Sequence, residues 1–120
     1  SSKIVYESIY MDWDTLPHEE FWILYLNQSN RLLEKYRLSK GGITQTTVDL
    51  RLAFKRAFEV GATGLILAHN HPSGGLTPSS SDEQITRKFK LAAARVDLRI
   101  LDHLIVSKKG YFSFADEGLL

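Results

Sequence analysis

Two histidines near the middle of the chain are the residues best suited to chemistry. His69 and His71 are separated by one residue and follow an apolar run, residues 64–68, that favours a buried strand. Because side chains alternate along a strand, both imidazoles point to the same face. Asp82 follows a loop rich in Gly and Pro and lies in the first turn of a predicted helix. Zinc accepts imidazole nitrogen and carboxylate oxygen, so these three residues are the predicted ligands of a zinc ion.

A catalytic zinc site keeps one position for water, and the ion lowers the pKa of that water from 15.7 toward about 7. A general base must still take up a proton, a role typically worth about 10²–10⁴ in rate. Glu19, at the start of the first predicted strand, is the candidate base. Ser79 is the candidate donor of a hydrogen bond to the oxyanion of a tetrahedral intermediate.

Each of these residues also has a simpler interpretation. A single histidine near a strand end is more often an ordinary hydrogen-bonded side chain than a metal ligand. Ser79 and Asp82 have the spacing of a helix capping box, and a carboxylate near a helix N-terminus is stabilising in any case. Glu19 by itself is a charged residue at a strand edge. Residue types and spacing therefore leave metal binding and helix capping both open.

The composition is that of one folded domain, which we assign to residues 1–120. The 120 residues are 43% hydrophobic and 24% charged, and they include no apolar stretch long enough for a membrane span and no basic-then-apolar leader. We therefore expect a cytoplasmic protein with no membrane partner. Since the sequence has no Cys, any metal must be held by imidazole and carboxylate.

The charge balance gives little reason to expect nucleic-acid binding. Fifteen Lys and Arg residues against fourteen Asp and Glu leave a formal net charge of +1, whereas binding by charge alone needs a strong basic excess. The residues that come closest to basic patches lie in helical patterns beside acidic residues, which favours solvated helix faces. They are Arg51, Lys55, Arg56, Arg87, Lys88, Lys90 and Arg95.

Apolar periodicity and turn residues predict the element order α-β-β-α-β-α-β-β, which implies one mixed sheet covered by helices. The predicted elements are a helix from Ser1 or Ser2 to Leu16, strands at 19–26 and 31–40, a helix from Thr46 or Thr47 to Gly61, a strand at 64–71, a helix starting between Ser79 and Asp82, and a hairpin of 99–107 and 111–115. The apolar stripe of the second helix is predicted to be Val48, Leu52, Ala53, Ala57 and Phe58.

The spacing of the candidate residues resembles a known metalloprotease signature. His-x-His-Pro, six further residues and Ser-x-x-Asp, with a Glu upstream, form the JAMM (MPN-plus) motif. In this chain the motif reads His69, His71, Pro72, Ser79 and Asp82, with no departure in spacing. Glu19, with Leu24 five residues later, fits the upstream part, and Glu20 is the alternative base.

More narrowly, the chain resembles the carboxyl-terminal domain of RadC-family proteins. The matching pieces cover nearly the whole chain in the right order: 18–21, 68–74, 78–82, 101–106 and 113–114. This resemblance implies a single JAMM/MPN-like domain of the α/β (α+β) class, with a curved mixed β-sheet flanked by helices.

The resemblance also implies zinc-dependent peptidase or isopeptidase chemistry on a protein or peptide substrate. In that chemistry His69, His71 and Asp82 bind zinc, Glu19 activates the water, and Ser79 stabilises the oxyanion. The alternative is a nucleic-acid-binding module without peptidase activity, which draws on the historical link of RadC proteins to DNA repair. A scaffold that has lost catalysis is a third interpretation, and the intact motif counts against it.

Asp102 and His103 belong to the same resemblance, and their role stays open. On a strand the two side chains point to opposite faces, so at most one of them faces the metal cleft. His103 could orient the substrate or support a metal ligand, and a role in the core is equally compatible with its position.

Overall fold

A computed structural model describes residues 1–13, 17–42 and 47–120 of the chain. Its elements are α1 (Ser2–Trp13), β1 (Glu20–Leu26), β2 (Leu32–Lys40), α2 (Leu50–Val60), β3 (Gly64–Asn70), α3 (Ser80–Ala94), β4 (Arg99–Ser107) and β5 (Gly110–Ser113). The predicted order and the α+β class with a mixed sheet are therefore confirmed. Within the described residues, no helix combines the length and apolar character that crossing a membrane requires.

The five strands form one open sheet in the order β2-β1-β3-β4-β5. β1 runs antiparallel to both of its neighbours, β3 and β4 run parallel, and β5 returns antiparallel to β4. The amino end of β1 therefore lies beside the carboxyl end of β3, where Phe21 pairs with His69. This arrangement brings the segment that begins at Glu19 to the end of the strand that carries the two histidines.

An apolar core lies on each face of the sheet, and alternate residues of β3 contribute to the two cores. Leu65 and Leu67 belong to the core that is covered by α2 and α3. Ile66 and Ala68 belong to the second core, which also contains Ile9 of α1. A strand that is covered on both faces must be apolar at every position, which explains the uninterrupted apolar run before His69.

The amino end of α2 lies later in the chain than the sequence predicted. Asp49 caps the helix, and its side chain accepts hydrogen bonds from the backbone amides of Arg51 and Leu52. The predicted start at Thr47 is therefore wrong, and the other predicted start, Thr46, lies outside the described residues, as does Leu16 at the predicted end of α1. The predicted end of α2 is confirmed, because Gly61 adopts a left-handed conformation with a φ of 74°.

The predicted apolar stripe of α2 is partly wrong. Ala53 and Ala57 are fully buried, but Leu52 and Phe58 are 45% and 57% exposed. The face that packs on the sheet has spacings of three and four residues through the two alanines, and its other members are Leu50, Phe54 and Val60. Leu52 and Phe58 lie outside that stripe, and Val48 is buried just before the helix begins.

We predict that Phe89→Ala lowers the free energy of unfolding by about 3–5 kcal/mol, because it empties a fully enclosed site in the core. Phe89 is 0% exposed, and its ring packs against those of Phe21 and Phe54 at centroid distances of 6.0 and 5.9 Å. Phe58→Ala, on the exposed side of α2, is the matched control and should cost less than about 1 kcal/mol. Urea denaturation compares the two variants, and equal losses would contradict the assigned core.

Candidate metal centre

Three side chains, from β3, the residue after it and α3, converge at the carboxyl end of β3. His69 lies on the sheet face that packs against α2 and α3, His71 follows the last residue of the strand, and Asp82 is in the first turn of α3. His69 Nε2 is 3.0 Å from Asp82 Oδ1 and 3.1 Å from His71 Nε2, and His71 Nε2 is 3.2 Å from Asp82 Oδ2. The structure therefore brings the three predicted ligands together in one group that could hold a metal ion.

The donor set and its dimensions fit a small divalent ion such as zinc. A tetrahedral ion with bonds of about 2.0–2.1 Å holds its ligand atoms about 3.3 Å apart, close to the shortest separations between the three side chains of this group, in which each histidine approaches a different oxygen of Asp82. His69 and Asp82 are 0% and 3% exposed, whereas His71 borders an open cleft of about 600 Å³. The site thus has a closed side made of ligands and an open side where a water and a substrate have room.

The electrostatics of the group favour a bound cation. Burial alone would raise the pKa of Asp82, but the adjacent imidazoles of His69 and His71, together with the hydrogen bond from the Ser79 backbone amide, hold it well below its ordinary value. The adjacent Asp82 carboxylate raises the pKa of His71 above its ordinary value. Asp82 therefore stays ionised and offers a nearly buried negative charge, which must be compensated by a positive partner.

Hydrogen bonds outside the group orient two of the ligands. His71 Nδ1 lies 3.0 Å from the backbone oxygen of Gly75, and because a carbonyl only accepts, that nitrogen carries the proton and leaves Nε2 free to bind a metal. Asp82 Oδ2 accepts the Ser79 amide at 2.7 Å, and Ser79 Oγ accepts the Asp82 amide at 3.1 Å. Ser79 and Asp82 therefore form a capping box, and Asp82 also belongs to the metal-binding group.

Glu19 and Glu20 lie on opposite sides of β1. Glu19 is half-buried and lines the same cleft as His71, Ser79 and Asp82. Glu20 is 6% exposed and accepts a hydrogen bond from Trp22 Nε1 at 2.8 Å. Burial would raise the pKa of Glu20, but its hydrogen bonds and nearby positive charge leave it lowered. Glu19 therefore faces the cleft that the ligand group borders, whereas Glu20 is hydrogen-bonded away from it.

Asn70, between the two histidines, has a positioning role that the sequence analysis missed. It is 2% exposed; its Oδ1 accepts the backbone amide of Glu20 at 2.7 Å, and its Nδ2 donates to the backbone oxygen of His18 at 2.8 Å. These two peptide groups flank Glu19. The only signal in the sequence was an amide side chain between the two histidines, at the end of a buried strand.

Asp102 and His103 point to opposite faces of β4, as the alternation of strand side chains predicted. Asp102 accepts hydrogen bonds from Ser113 Oγ and the amide of Ala115, at 2.6 and 2.9 Å, and so ties β4 to the end of β5 and to the segment after it. His103 faces the metal-binding group and contacts His69 through their ring nitrogens. Burial holds the pKa of His103 well below its ordinary value, so its ring is neutral.

Comparison with known proteins assigns the chain to a family. A family profile described as a RadC-like JAB domain matches residues 1–119. The chain belongs to the RadC family. The resemblance noted in the sequence is therefore confirmed across nearly the whole chain, and it agrees with the open mixed sheet and the position of the His-His-Asp group.

Several bacterial relatives support the same assignment. The RadC-like domain is 61% identical over 104 residues to a UPF0758 protein of Flavobacterium johnsoniae, an alignment that covers 87% of this chain and 45% of the relative. It is 46% identical over 120 residues to a UPF0758 protein of Porphyromonas gingivalis, covering 99% of this chain and 53% of the relative. The UPF0758 protein YeeS of Escherichia coli is 43% identical over 120 residues, which are 81% of its length. The chain thus spans about half the length of the first two relatives, and the names of all three state no activity.

We predict that Asn70→Ala loosens the start of β1 without removing a metal ligand. The variant leaves the Glu20 amide and the His18 carbonyl without their buried partner, at a cost of about 1–3 kcal/mol. Hydrogen exchange by NMR should show faster exchange of the Glu20 amide, while amides in the middle of β1, such as that of Leu24, keep their relative protection. Unchanged protection of the Glu20 amide would contradict the role assigned to Asn70.

Proposed function

We propose that this RadC-like domain is a zinc-dependent hydrolase of the JAMM type that cleaves a peptide or isopeptide bond. The observation that carries the proposal is the convergence of His69, His71 and Asp82 within 3.0–3.2 Å of one another at the wall of an open cleft. Glu19 and Ser79 line the same cleft, so a carboxylate suited to act as a base and a hydroxyl suited to donate a hydrogen bond lie beside the ligand group.

In this proposal a bound zinc ion acts as a Lewis acid and makes hydroxide available at neutral pH. His69, His71 and Asp82 would hold the ion. The Glu19 carboxylate would take the proton from the attacking water and deliver it to the leaving amine, so that one residue acts first as base and then as acid. Its backbone position is supported by the two hydrogen bonds of Asn70.

Ser79 is suited to stabilise negative charge that develops on the substrate carbonyl. Its Oγ accepts a hydrogen bond from the Asp82 amide, so the hydroxyl proton remains for donation. Because Ser79 lines the cleft and precedes the first turn of α3, that proton can reach a substrate oxygen lying near the ligand group. A fixed donor of this kind stabilises the tetrahedral oxyanion more than the planar substrate.

The alternative of a nucleic-acid-binding module gains no support from the arginines of α2. Arg51 lies 3.6 Å from the carboxylate of Asp49. Arg56 pairs with Glu34 and also with Glu59. Two of the three basic residues that the sequence analysis considered on α2 therefore have acidic neighbours, as the sequence predicted. We therefore keep the proposal of hydrolysis of a protein or peptide substrate.

We predict that the purified chain binds about one zinc ion and that His71→Ala abolishes this binding at micromolar zinc, because catalytic zinc sites use three protein ligands. His18→Ala is the matched control: His18 pairs with Glu20 rather than with the ligand group, and its variant should keep the metal. Elemental analysis after dialysis, with circular dichroism to verify folding, measures the outcome. A folded wild-type chain that binds no divalent metal near neutral pH would refute the proposed function.

We predict that Glu19→Gln retains zinc but lowers peptide hydrolysis by about 10²–10⁴-fold, because the amide cannot accept the proton of the water. Glu20→Gln should leave hydrolysis within a few-fold of wild type, since Glu20 lies outside the cleft. A mass-spectrometric assay of cleavage in a mixed peptide library compares the variants, and Glu19→Gln can serve to trap the bound substrate. Equal losses in the two variants would contradict the assignment of Glu19 as the base.

A further inference from the structure

A chain of three buried hydrogen bonds runs from His69 through β4 to the backbone of α3. His69 Nδ1 lies 2.9 Å from His103 Nε2, and His103 Nδ1 lies 2.6 Å from Thr86 Oγ1. Thr86 Oγ1 in turn donates to the backbone oxygen of Asp82 at 2.8 Å. His69 and His103 are 0% exposed and Thr86 is 2% exposed, so water does not compete for these contacts.

The donor and the acceptor of each of these three hydrogen bonds follow from the Asp82 carbonyl, where the series ends. The Asp82 carbonyl has no proton, so the Thr86 hydroxyl must donate its single proton to it. The Thr86 oxygen therefore accepts from His103, which places the proton of the neutral His103 ring on Nδ1. His103 Nε2 is then an acceptor, and the proton between the two histidines must belong to His69 Nδ1.

This proton arrangement decides which nitrogen of His69 is free. With Nδ1 protonated, the lone pair of His69 is on Nε2, the atom that lies 3.0 Å from Asp82 Oδ1 and 3.1 Å from His71 Nε2. The opposite tautomer would direct an N–H group into the space between the ligands and block metal binding. We propose that His103 and Thr86 are positioning residues that hold His69 in its metal-binding tautomer, an inference that rests on the proposed metal site.

The packing around His103 supports this role, because it holds the plane of the ring while the hydrogen bonds fix the position of its proton. Phe114 stacks on the His103 ring at a centroid distance of 4.7 Å, and the edge of Phe21 approaches it at 5.7 Å. Phe21 also stacks on His69 at 5.8 Å. The two imidazoles therefore cannot turn independently, and the hydrogen-bond chain selects one of two tautomers for the pair.

The test is Thr86→Val, which keeps the shape of the side chain and removes its hydroxyl. His103 Nδ1–H then has no acceptor, so His103 is expected to shift its proton to Nε2 and drive the proton of His69 onto Nε2. Long-range ¹⁵N–¹H NMR of the metal-free chain should show His69 protonated on Nδ1 in the wild type and substantially on Nε2 in the variant. Competition with a chelator should show zinc affinity lowered by about 10–100-fold.

Two further variants separate positioning from a merely structural role. Thr86→Ser retains a hydroxyl and should restore both the His69 tautomer and the zinc affinity. Thr63→Val removes another threonine hydroxyl, whose oxygen is buried with no hydrogen-bond partner among the described residues, and should change neither. Loss of zinc affinity in Thr63→Val equal to that in Thr86→Val would show that packing, rather than the proton arrangement, is responsible and would overturn the inference.

The two readouts also distinguish this inference from the proposed function. Nε2 protonation of His69 in the metal-free wild type overturns the inference whether or not the chain binds zinc. If the chain binds zinc, an affinity in Thr86→Val within twofold of wild type overturns it as well. A chain with the expected tautomers that binds no zinc refutes the proposed function, and the tautomer shift in Thr86→Val then decides the inference alone.

Discussion

Phe21 and His69 pair in antiparallel register where β1 begins and β3 ends, and the rest of the site depends on that pairing. It places Glu19 at the cleft and leaves Glu20 on the opposite side of β1. A shift of the register by one residue would exchange the two carboxylates, because side chains alternate across a strand. Asn70 opposes such a shift, because its side chain forms hydrogen bonds with the backbone of His18 and Glu20, beyond the last residues that pair through their backbones.

The candidate metal centre is a polar cluster at the edge of an apolar core, and it is stable there because its members satisfy one another. An unpartnered buried polar atom costs about 1–3 kcal/mol, so a cluster of this kind must be fully hydrogen-bonded. Asp82 shows how closely capping and metal binding are combined: one carboxylate completes the capping box of α3 and faces both histidines. The two interpretations that the sequence left open for this residue are compatible.

The sequence predicted the features that depend on local signals: the order of elements, the three side chains that come together as a possible metal-binding group and the glycine that ends α2. It was wrong, or left the answer open, where tertiary contacts decide. The apolar stripe of α2 is set by the face that packs on the sheet, and the partner of His103 follows from the register of β3 with β4. An irregularity between Leu65 and Ile66 pairs Leu67 with His103. Without that irregularity Leu67 would pair with Asp102, and Asp102 would lie on the face of the sheet that His103 now shares with Leu67. No pattern in the local sequence predicts the irregularity.

The contacts from His69 through His103 and Thr86 to Asp82 close on themselves, because Asp82 also meets His69. This ring ties α3 directly to the strands, so residues 76–78, between Gly75 and the Ser79 cap, do not have to hold the ligands in place. The relative position of Asp82 and His69 is therefore set by contacts between α3 and the sheet, and a variant that loosens those contacts would displace a ligand without altering the connection.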